Sequence, residues 1–373
     1  MVKAAVMIEA GRIELQDFPY PQITPESLLL RVDLVGICGS DSHMYRGHSH
    51  VMFPVIPGHE LTGTIAELGP EANNTMRVVG GPLQEGDRVV VVPSSKSCGH
   101  CFFCLQMPHR PNLCPNRTVH GFRNCQTPPH LFGGYAEYLY VDGNSWVYKL
   151  DEDFPSELAV FADPLSTALR AVEKALPPGL PNLGEGYGVG KRVVVIGVGP
   201  IGLLAVAALR ETGAGTIIAT DVSDSRLEMA RTMGADLTLN ARTTSPQERK
   251  EAVLAATEGV GADVVLECAG VPEAFAESLA LVRRGGKVVE VGHYTDPGAV
   301  LIHPFQICNK DLDVHGCWAY PQIQFKEALL FLKRTQAPLT SLISHRLPLS
   351  EAERGLQMLG TEGVLKVVIA PWD

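Results

Sequence analysis

The chain has 373 residues, of which 45% are hydrophobic and 19% charged, and its formal net charge is −10 at pH 7. This length exceeds what one hydrophobic core usually serves, so more than one domain is expected. An acidic chain disfavours nucleic acid as the main partner, because phosphate binding needs a basic surface, and we expect a small-molecule ligand. Glu9 and Arg12 interrupt the N-terminal apolar run too early for a secretion signal, so we expect a cytoplasmic protein with no membrane association.

The first part of the chain predicts short β-strands. β-rich runs over Ser27–Val35, Asp87–Val92 and Ala136–Val141 are separated by glycine, proline and polar turns. A linker rich in proline and glycine follows at 177–190. This half of the chain is therefore expected to be mostly β.

After the linker, apolar strands alternate with amphipathic helices. The predicted strands are Arg192–Ile196, Thr216–Thr220, Asp263–Glu267 and Lys287–Val291, and the predicted helices are Ile201–Glu211 and Ser225–Met233. Such alternation is typical of an α/β domain with a doubly wound parallel sheet. The alternation fades beyond about residue 304, so the pattern alone leaves the tail open between the two domains.

The first strand after the linker leads into a glycine-rich turn that is typical of dinucleotide binding. Gly197, Gly199 and Gly202 match G-x-G-x-x-G, with Pro200 and Ile201 between the last two, and a helix begins there with free N–H groups for a pyrophosphate. The next strand leads to Asp221, whose carboxylate can accept hydrogen bonds from the ribose hydroxyls and would repel a 2′-phosphate. NAD is favoured over NADP. The alternative is a tight turn with no ligand and an Asp221 that only caps the next segment.

Four cysteines, Cys98, Cys101, Cys104 and Cys114, are close enough in sequence to surround one metal ion. Four thiolates leave no open position on zinc, so a zinc ion there would be structural. An iron–sulfur cluster is the competing interpretation, although its last cysteine normally follows at a shorter interval. Four unligated thiols in one loop would be exposed to oxidation, which makes that third interpretation the least favoured.

A second, scattered group contains Cys38, His59 and Asp163. One thiolate, one neutral imidazole and one carboxylate leave a fourth position on zinc open, as a catalytic zinc requires. Spacing alone supports this only weakly, because single cysteines and histidines are more often packed core residues and Asp163 precedes a proline that can start a turn.

Together these motifs resemble the medium-chain zinc-dependent alcohol and polyol dehydrogenases, including the sorbitol and threonine dehydrogenases, over nearly the whole chain. The resemblance is carried by Gly58-His59-Glu60 with the glycines that follow it, by Cys38-Gly-Ser-Asp, by the cysteine lobe and by Gly133-Gly-Tyr-Ala-Glu-Tyr138. It implies a GroES-like β domain and a Rossmann domain. The implied bounds are 1–164 for the GroES-like catalytic domain with a zinc lobe at about 94–118, 165–303 for the Rossmann domain, and 304–373 for a return to the catalytic domain.

The resemblance also implies roles for individual residues in the metal site. Cys38 and His59 match zinc ligands, and Asp163 stands where relatives carry Cys, Glu or Asp. Glu60 matches a residue that ligates the metal in some relatives and lies behind the ligands in others. Which of Asp163 and Glu60 is the third direct ligand is left open.

Three further roles follow from the same resemblance. Ser40 matches a hydroxyl that relays a proton from the alcohol, and His43 an imidazole that passes it on towards solvent. Arg226 matches an arginine that contacts the cofactor in polyol dehydrogenases.

The implied activity is hydride transfer between a secondary alcohol, a polyol or other, and NAD, with one catalytic and one structural Zn2+ and a homo-oligomer of two or four chains. A threonine-type amino-alcohol dehydrogenase is the alternative within enzymes. A non-catalytic NAD-binding module is a further alternative, and a nucleic-acid finger built on the cysteine lobe is disfavoured because no basic helix follows it.

Overall fold

The structure, a computed structural model, describes residues 1–49, 51–175 and 188–373. The chain divides into two units. The first unit comprises Met1–Asp163, Pro321–Arg334 and Ile343–Asp373, and the second comprises Pro164–Tyr320 and Thr335–Leu342. Most of the predicted linker, residues 177–187, lies outside the described residues. Of the tail that was expected to return to the catalytic domain, residues 304–320 and 335–342 group with the second unit.

Short strands dominate the first unit, whereas strands and helices alternate along most of the second. The strands are β1 (Val2–Glu9), β2 (Arg12–Phe18), β3 (Leu28–Gly36), β4 (Glu60–Leu68), β5 (Arg77–Val79), β6 (Arg88–Val91), β7 (Ser94–Lys96), β8 (Thr118–Val119), β9 (Tyr138–Val141), β10 (Trp146–Lys149), β11 (Arg192–Ile196), β12 (Thr216–Asp221), β13 (Leu237–Asn240), β14 (Ala262–Glu267), β15 (Val282–Glu290), β16 (Asp313–Gly316), β17 (Ile343–Pro348) and β18 (Lys366–Ala370). The helices are α1 (Gly39–Tyr45), α2 (Ala72–Thr75), α3 (Phe102–Gln106), α4 (Ser156–Ala159), α5 (Ala162–Ala175), α6 (Pro200–Glu211), α7 (Asp224–Met233), α8 (Pro246–Ala256), α9 (Pro272–Leu281), α10 (Pro304–Lys310), α11 (Gln324–Arg334) and α12 (Ala352–Met358).

The first unit is built on a mainly antiparallel sheet in the order β17-β18-β3-β4-β6-β10-β5, with β9 also paired to β3. β3 is central because most of its side chains are buried, as expected for a strand rich in Leu and Val. Its Leu30 and Val32 pack with Tyr135 and Leu139 in the core of the unit. Each fully buried aliphatic side chain of this kind contributes about 1.5–3 kcal/mol.

Strand pairing explains why distant residues meet at the end of β3. β3 and β4 run antiparallel with Gly36 opposite Glu60, so the residues that follow β3 and precede β4 come together. β18 pairs antiparallel with β3 through Val368 opposite Gly36, which brings Lys366 to the same place. The sheet thereby collects Cys38, just beyond β3, with Glu60 and Lys366 at one point.

The second unit contains a parallel sheet in the order β13-β12-β11-β14-β15-β16, with helices between successive strands. This confirms the predicted doubly wound α/β domain. β11 has the predicted bounds, whereas β15 begins five residues earlier than predicted, at Val282. β13, α8 and α9 were not predicted individually.

Because the strands of the second unit are parallel, their carboxyl ends lie at one edge of the sheet, where ligands bind in folds of this class. Ile196, Asp221, Glu267 and Glu290 are the last residues of β11, β12, β14 and β15. No helix within the described ranges is long and apolar enough to cross a membrane.

Candidate metal centres and dinucleotide site

Cys38, His59 and Glu60 form a compact group in the first unit. One potential ligand atom from each lies within 4.8 Å of the others. His59 is 7% exposed and Glu60 2%, so both polar groups are held away from bulk water. Sulfur, nitrogen and oxygen are the donor atoms that zinc takes in proteins, and three protein ligands leave a position for substrate. The three residues therefore fit a catalytic zinc ion.

Asp41 contacts Cys38 and His59 and helps to fix their positions. It is fully buried in α1, and its Oδ2 accepts hydrogen bonds from the Cys38 backbone N–H at 2.9 Å and the Tyr135 hydroxyl at 3.2 Å. Its other carboxylate oxygen lies 3.5 Å from His59 Nδ1. A carboxylate behind a ligating histidine fixes the orientation of the ring.

The electrostatics of the group favour a positive charge. Burial alone would lower the pKa of His59, but the Asp41 carboxylate and the Cys38 thiolate outweigh burial and raise it well above its ordinary value. The same negative groups would attract a metal cation, which binds the neutral imidazole in place of that proton. The donor atoms and the negative groups around them therefore both favour a bound metal cation.

Glu60 has a buried counter-ion that the sequence did not reveal. Lys366 Nζ is paired with Glu60 Oε2 and also donates a hydrogen bond to the Ile37 carbonyl at 2.9 Å. Both side chains are only 2% exposed. Burial lowers the pKa of Lys366, but Glu60, Cys38 and Asp163 outweigh burial and raise it, so this lysine stays charged.

Gly36 makes room for this ion pair. A Cβ at this position would overlap both Glu60 Oε2 and the Lys366 Cε. The smallest side chain therefore stands where β3 passes closest to the pair.

The other residues predicted for this site fall into two groups. Asp163 lies in the first turn of α5 and interacts electrostatically with Lys366, but it is not one of the three residues whose ligand atoms converge. Ser40 lies in α1 with its Oγ 3.4 Å from His59 Nε2. His43 is one helical turn farther along α1 and half-buried. Ser40 thus lies against the group, and His43 follows on the same helix.

Asp41 and Lys366 were not predicted from the sequence as residues of this site. Asp41 lay within the Cys-Gly-Ser-Asp motif, which was a usable signal. Lys366 is 306 residues from Glu60, and only the pairing of β18 with β3 brings them together.

The cysteine lobe has the geometry of a single tetrahedral metal ion. The distances between Sγ atoms are 3.9 Å for Cys98 and Cys104, 3.5 Å for Cys101 and Cys104, 3.8 Å for Cys101 and Cys114, and 3.6 Å for Cys98 and Cys114. Zinc–sulfur bonds of about 2.3 Å at tetrahedral angles place sulfurs about 3.8 Å apart. An iron–sulfur cluster, with several irons, would hold them farther apart. These distances favour zinc.

The local structure of the lobe supports the same geometry. β7 and β8 pair at its base, and α3 begins directly after Cys101. The backbone N–H of Cys98 donates to Cys114 Sγ at 3.4 Å, and the backbone N–H of His100 lowers the pKa of Cys98 to about 6. Cys98 is thus stabilised as the thiolate that binds metal, whereas burial raises the pKa of Cys104 to about 12.

The glycine motif of the second unit forms the turn between β11 and α6. Gly197 has φ 82°, a conformation that favours glycine, and a Cβ there would collide with Ala269. A Cβ at Gly199, the N-cap of α6, would meet no atom within 4 Å, which leaves open space at the first turn of the helix. Gly202 packs directly against the Gly197 carbonyl. The turn fits a pyrophosphate at the helix N-terminus.

Asp221 ends β12 beside this turn. Its Oδ2 accepts a hydrogen bond from the Val198 backbone N–H at 2.8 Å, and its Oδ1 accepts one from the Ser223 backbone N–H at 3.0 Å. Arg226 Nη1 lies 3.8 Å from Asp221 Oδ1. The carboxylate is thus held at the end of the strand where a ribose hydroxyl would bind, with an arginine close by.

Two family models match the chain, one within the first unit and one mainly within the second. The model described as alcohol dehydrogenase GroES-like domain matches residues 24–152. The model described as zinc-binding dehydrogenase matches residues 200–334.

Individual proteins match over almost their full length. The chain is 34% identical to 5-exo-hydroxycamphor dehydrogenase of Pseudomonas putida, with 98% of each chain covered. It is 33% identical to sorbitol dehydrogenase of Bacillus subtilis, covering 99% of this chain and 97% of that protein. It is 30% identical to L-threonine 3-dehydrogenase of Aeromonas salmonicida, covering 97% of each.

Solved structures agree. An alcohol dehydrogenase from Thermotoga maritima superposes with a TM-score of 0.90 at 33% identity, covering 99% of each chain. A putative zinc-binding dehydrogenase from Sinorhizobium meliloti bound to NADP gives 0.86 at 29% identity, covering 100% of this chain and 99% of that one. Zinc and a nicotinamide cofactor are thus the cofactors of this protein. The chain belongs to the medium-chain zinc-dependent alcohol and polyol dehydrogenases and is an enzyme of that type, with a GroES-like domain and a Rossmann domain.

Proposed function

We propose that this enzyme oxidises a secondary alcohol at a zinc ion held by Cys38, His59 and one carboxylate, with NAD as the hydride acceptor. The observation that carries the proposal is the convergence of Cys38, His59 and Glu60 within 4.8 Å, with Asp41 behind the histidine and Ser40 beside it. A zinc ion in this group supplies Lewis acidity towards the alcohol oxygen, and the nicotinamide supplies the oxidant.

The residues of α1 carry out the proton transfer. Ser40 Oγ, 3.4 Å from His59 Nε2, is placed to accept the alcohol proton and pass it on. His43 follows on the same helix face, one turn away. Burial, His48 and Arg46 lower the pKa of His43, so its imidazole is neutral at pH 7 and able to accept a proton.

For the third ligand, the geometry supports Glu60 over Asp163. One ligand atom of Glu60 lies within 4.8 Å of those of Cys38 and His59, and Lys366 forms a buried ion pair with its carboxylate. Asp163 instead contributes to the negative field around Lys366. Zinc content separates the two: Glu60→Gln should lose the catalytic zinc and Asp163→Asn should keep it. The reverse result would make Asp163 the ligand.

We infer a preference for NAD from Asp221. A 2′-phosphate would approach a carboxylate whose Oδ2 and Oδ1 are already fixed by the Val198 and Ser223 N–H groups, and like charges repel. Arg226 favours the opposite preference, since an arginine can bind a 2′-phosphate, but at 3.8 Å from Asp221 it is partly neutralised. The ratio of kcat/KM for NAD and NADP tests the preference.

The substrate we propose is a polyol or another secondary alcohol. Relatives named as acting on sorbitol and on a hydroxycamphor support a secondary carbinol. A relative named as a threonine dehydrogenase keeps the amino-alcohol alternative in consideration.

The test is cofactor reduction with purified enzyme over polyols, threonine and bulky cyclic secondary alcohols. Wild type should reduce NAD with at least one of these classes, and Cys38→Ser should not. Cys308→Ser is the matched control, because Cys308 is exposed and belongs to neither metal group. Equal rates for Cys38→Ser and wild type would refute the zinc assignment.

We propose that the enzyme is cytoplasmic and homo-oligomeric. Four cysteines that lie close together in the zinc lobe without forming disulfides favour a reducing compartment. β16 lies at the edge of its sheet, and the exposed apolar side chains of Val314 within it and of Leu301 and Phe305 before it in sequence favour pairing with a second copy. Sedimentation analysis should give a dimer or tetramer, and a monomer at working concentration would contradict the proposal.

A further inference from the structure

Three potential metal ligands meet in the second unit, and none of them belongs to either zinc group. Glu267 and Glu290 are the last residues of β14 and β15, and they are direct partners in the register of these parallel strands. His293 follows three residues after Glu290. One ligand atom from each of the three lies within 4.8 Å of the others. The group is therefore at the edge of the sheet where ligands of this fold class bind.

Each carboxylate is anchored through one oxygen. Glu267 Oε1 accepts hydrogen bonds from the backbone N–H groups of Ala269 at 2.8 Å and Gly270 at 2.9 Å. Glu290 Oε1 accepts hydrogen bonds from the backbone N–H of His293 at 3.3 Å and, with Nδ1 as donor, from its ring at 2.7 Å. Both side chains are thus fixed by groups of their own loops.

The second oxygen of each carboxylate takes no part in these hydrogen bonds. Glu267 Oε2 and Glu290 Oε2 are buried and have no hydrogen-bond partner within residues 1–49, 51–175 and 188–373. Glu267 is fully buried, and its Oε2 lies 3.6 Å from His293 Nδ1. Buried acceptors of this kind normally have a partner, because an unsatisfied buried polar atom costs about 1–3 kcal/mol.

The negative charge of the two carboxylates also lacks a nearby lysine or arginine among the described residues to balance it. In the described part of the chain, neither carboxylate forms an ion pair with a lysine or arginine, and His293 is the one basic group that reaches them.

We propose that Glu267, Glu290 and His293 form a binding site for a divalent cation. Two carboxylates neutralise its charge, and an oxygen–nitrogen donor set suits Mn2+ or Zn2+. The ion would take the two unpartnered oxygens and replace the proton that the His293 ring shares with Glu290. Gly292 leaves the approach to Glu267 open, since a Cβ there would come within 2.6 Å of Oε2.

The site would join the ends of β14 and β15 beside the glycine turn. β14 also pairs with β11, and the Cys268 N–H donates to the Ile196 carbonyl directly before Gly197. A cation there would stiffen the edge of the sheet that carries the dinucleotide turn. The inference does not depend on the proposed zinc chemistry of the first unit.

The test uses the full-length, zinc-loaded enzyme, with Mn2+ as the probe and electron paramagnetic resonance to measure bound ion. Wild type should bind one Mn2+ per chain without losing zinc. Glu290→Gln and His293→Ala should each weaken binding at least about tenfold. Glu273→Gln, an exposed carboxylate in the first turn of α9, is the matched control and should bind as wild type does.

A thermal melt keeps the test informative if one variant is unstable. Mn2+ should raise the Tm of wild type and of Cys38→Ser but not of His293→Ala, whose side chain is partly exposed. No Mn2+ binding by wild type, or equal binding by both ligand variants, would overturn the proposal and leave the two acids sharing a proton. Because Cys38→Ser is expected to retain the site, this result is separable from failure of the zinc assignment.

Discussion

Replacing Lys366 by Met should be among the most damaging single changes in the first unit. The substitution keeps the length and apolar stem of the side chain but removes the charge, leaving Glu60 2% exposed and without its cation. It also removes the hydrogen bond to the Ile37 carbonyl. Removing one partner of a buried ion pair lowers the free energy of unfolding by about 3–5 kcal/mol. For a unit of this size that corresponds to a fall in Tm of about 6–20 °C.

Bound zinc should change how much stability the Lys366→Met substitution removes. If Glu60 ligates zinc, the ion supplies part of the positive charge that Lys366 provided, so the loss should be smaller in zinc-loaded than in chelator-treated enzyme. Urea unfolding of both forms measures the difference. Glu60→Gln combined with Lys366→Met should be more stable than Lys366→Met alone, because no buried charge is left unpaired.

The matched control is Lys333→Met, which breaks the exposed pair of Lys333 with Asp151, where the two side chains are 42% and 61% exposed. It should change stability by about 0–1 kcal/mol. A loss in Lys366→Met no larger than in this control, or no recovery on adding Glu60→Gln, would show that the Glu60–Lys366 pair does not stabilise the unit.

Three further predictions concern other sites. Asp221→Ser should weaken NAD use and improve NADP use, and unchanged kcat/KM values for both cofactors would tell against its ribose role. Cys98→Ser should remove one zinc per chain and lower the Tm of the enzyme, whereas full zinc content by metal analysis would contradict a four-cysteine site. Burial opposes ionisation of Asp263, but hydrogen bonds from Arg192 and Arg283 outweigh it and hold its pKa below the ordinary value. Its stabilisation is therefore present above about pH 4 and lost as pH falls further, so Asp263→Asn should be less stable at neutral pH and show a shallower acid loss in pH-dependent unfolding.

Features fixed by local sequence could be predicted well. The four cysteines of the lobe lie within one short segment, so spacing alone indicated a common ion, and the Sγ distances agree. The strand, glycine turn and helix at 192–211 were predictable because steric rules require glycine at Gly197 and Gly202. Asp221 followed from its place at the end of the next strand.

Elements with weak periodicity were not predicted. β13 is a short strand whose residues are only partly buried. α8 lacks a clear apolar face, although its capping box, Ser245 with Glu248, was a signal that could have marked its start. The hydrophobic pattern of a segment predicts its secondary structure poorly where tertiary packing supplies most of the stability.

Contacts between strands that are far apart in the sequence could not be predicted. Lys366 meets Glu60 only because β18 pairs with β3, and Glu267 meets Glu290 only because β14 and β15 are in register. The choice between Glu60 and Asp163 as ligand likewise depends on which carboxylate the fold brings to Cys38. A buried lysine near the end of the chain carries no local signal of such a role.

We propose that alcohol oxidation by this enzyme depends on a zinc ion that His59 holds. The most direct measurement is zinc content together with alcohol-dependent reduction of NAD in His59→Ala, with His345→Ala as the control for loss of a half-buried histidine in the same unit. His59→Ala should keep the lobe zinc, lose the other, and be slower by about a thousandfold or more, since the metal supplies several kcal/mol of transition-state stabilisation. A folded His59→Ala enzyme with one zinc fewer and an undiminished rate would contradict it.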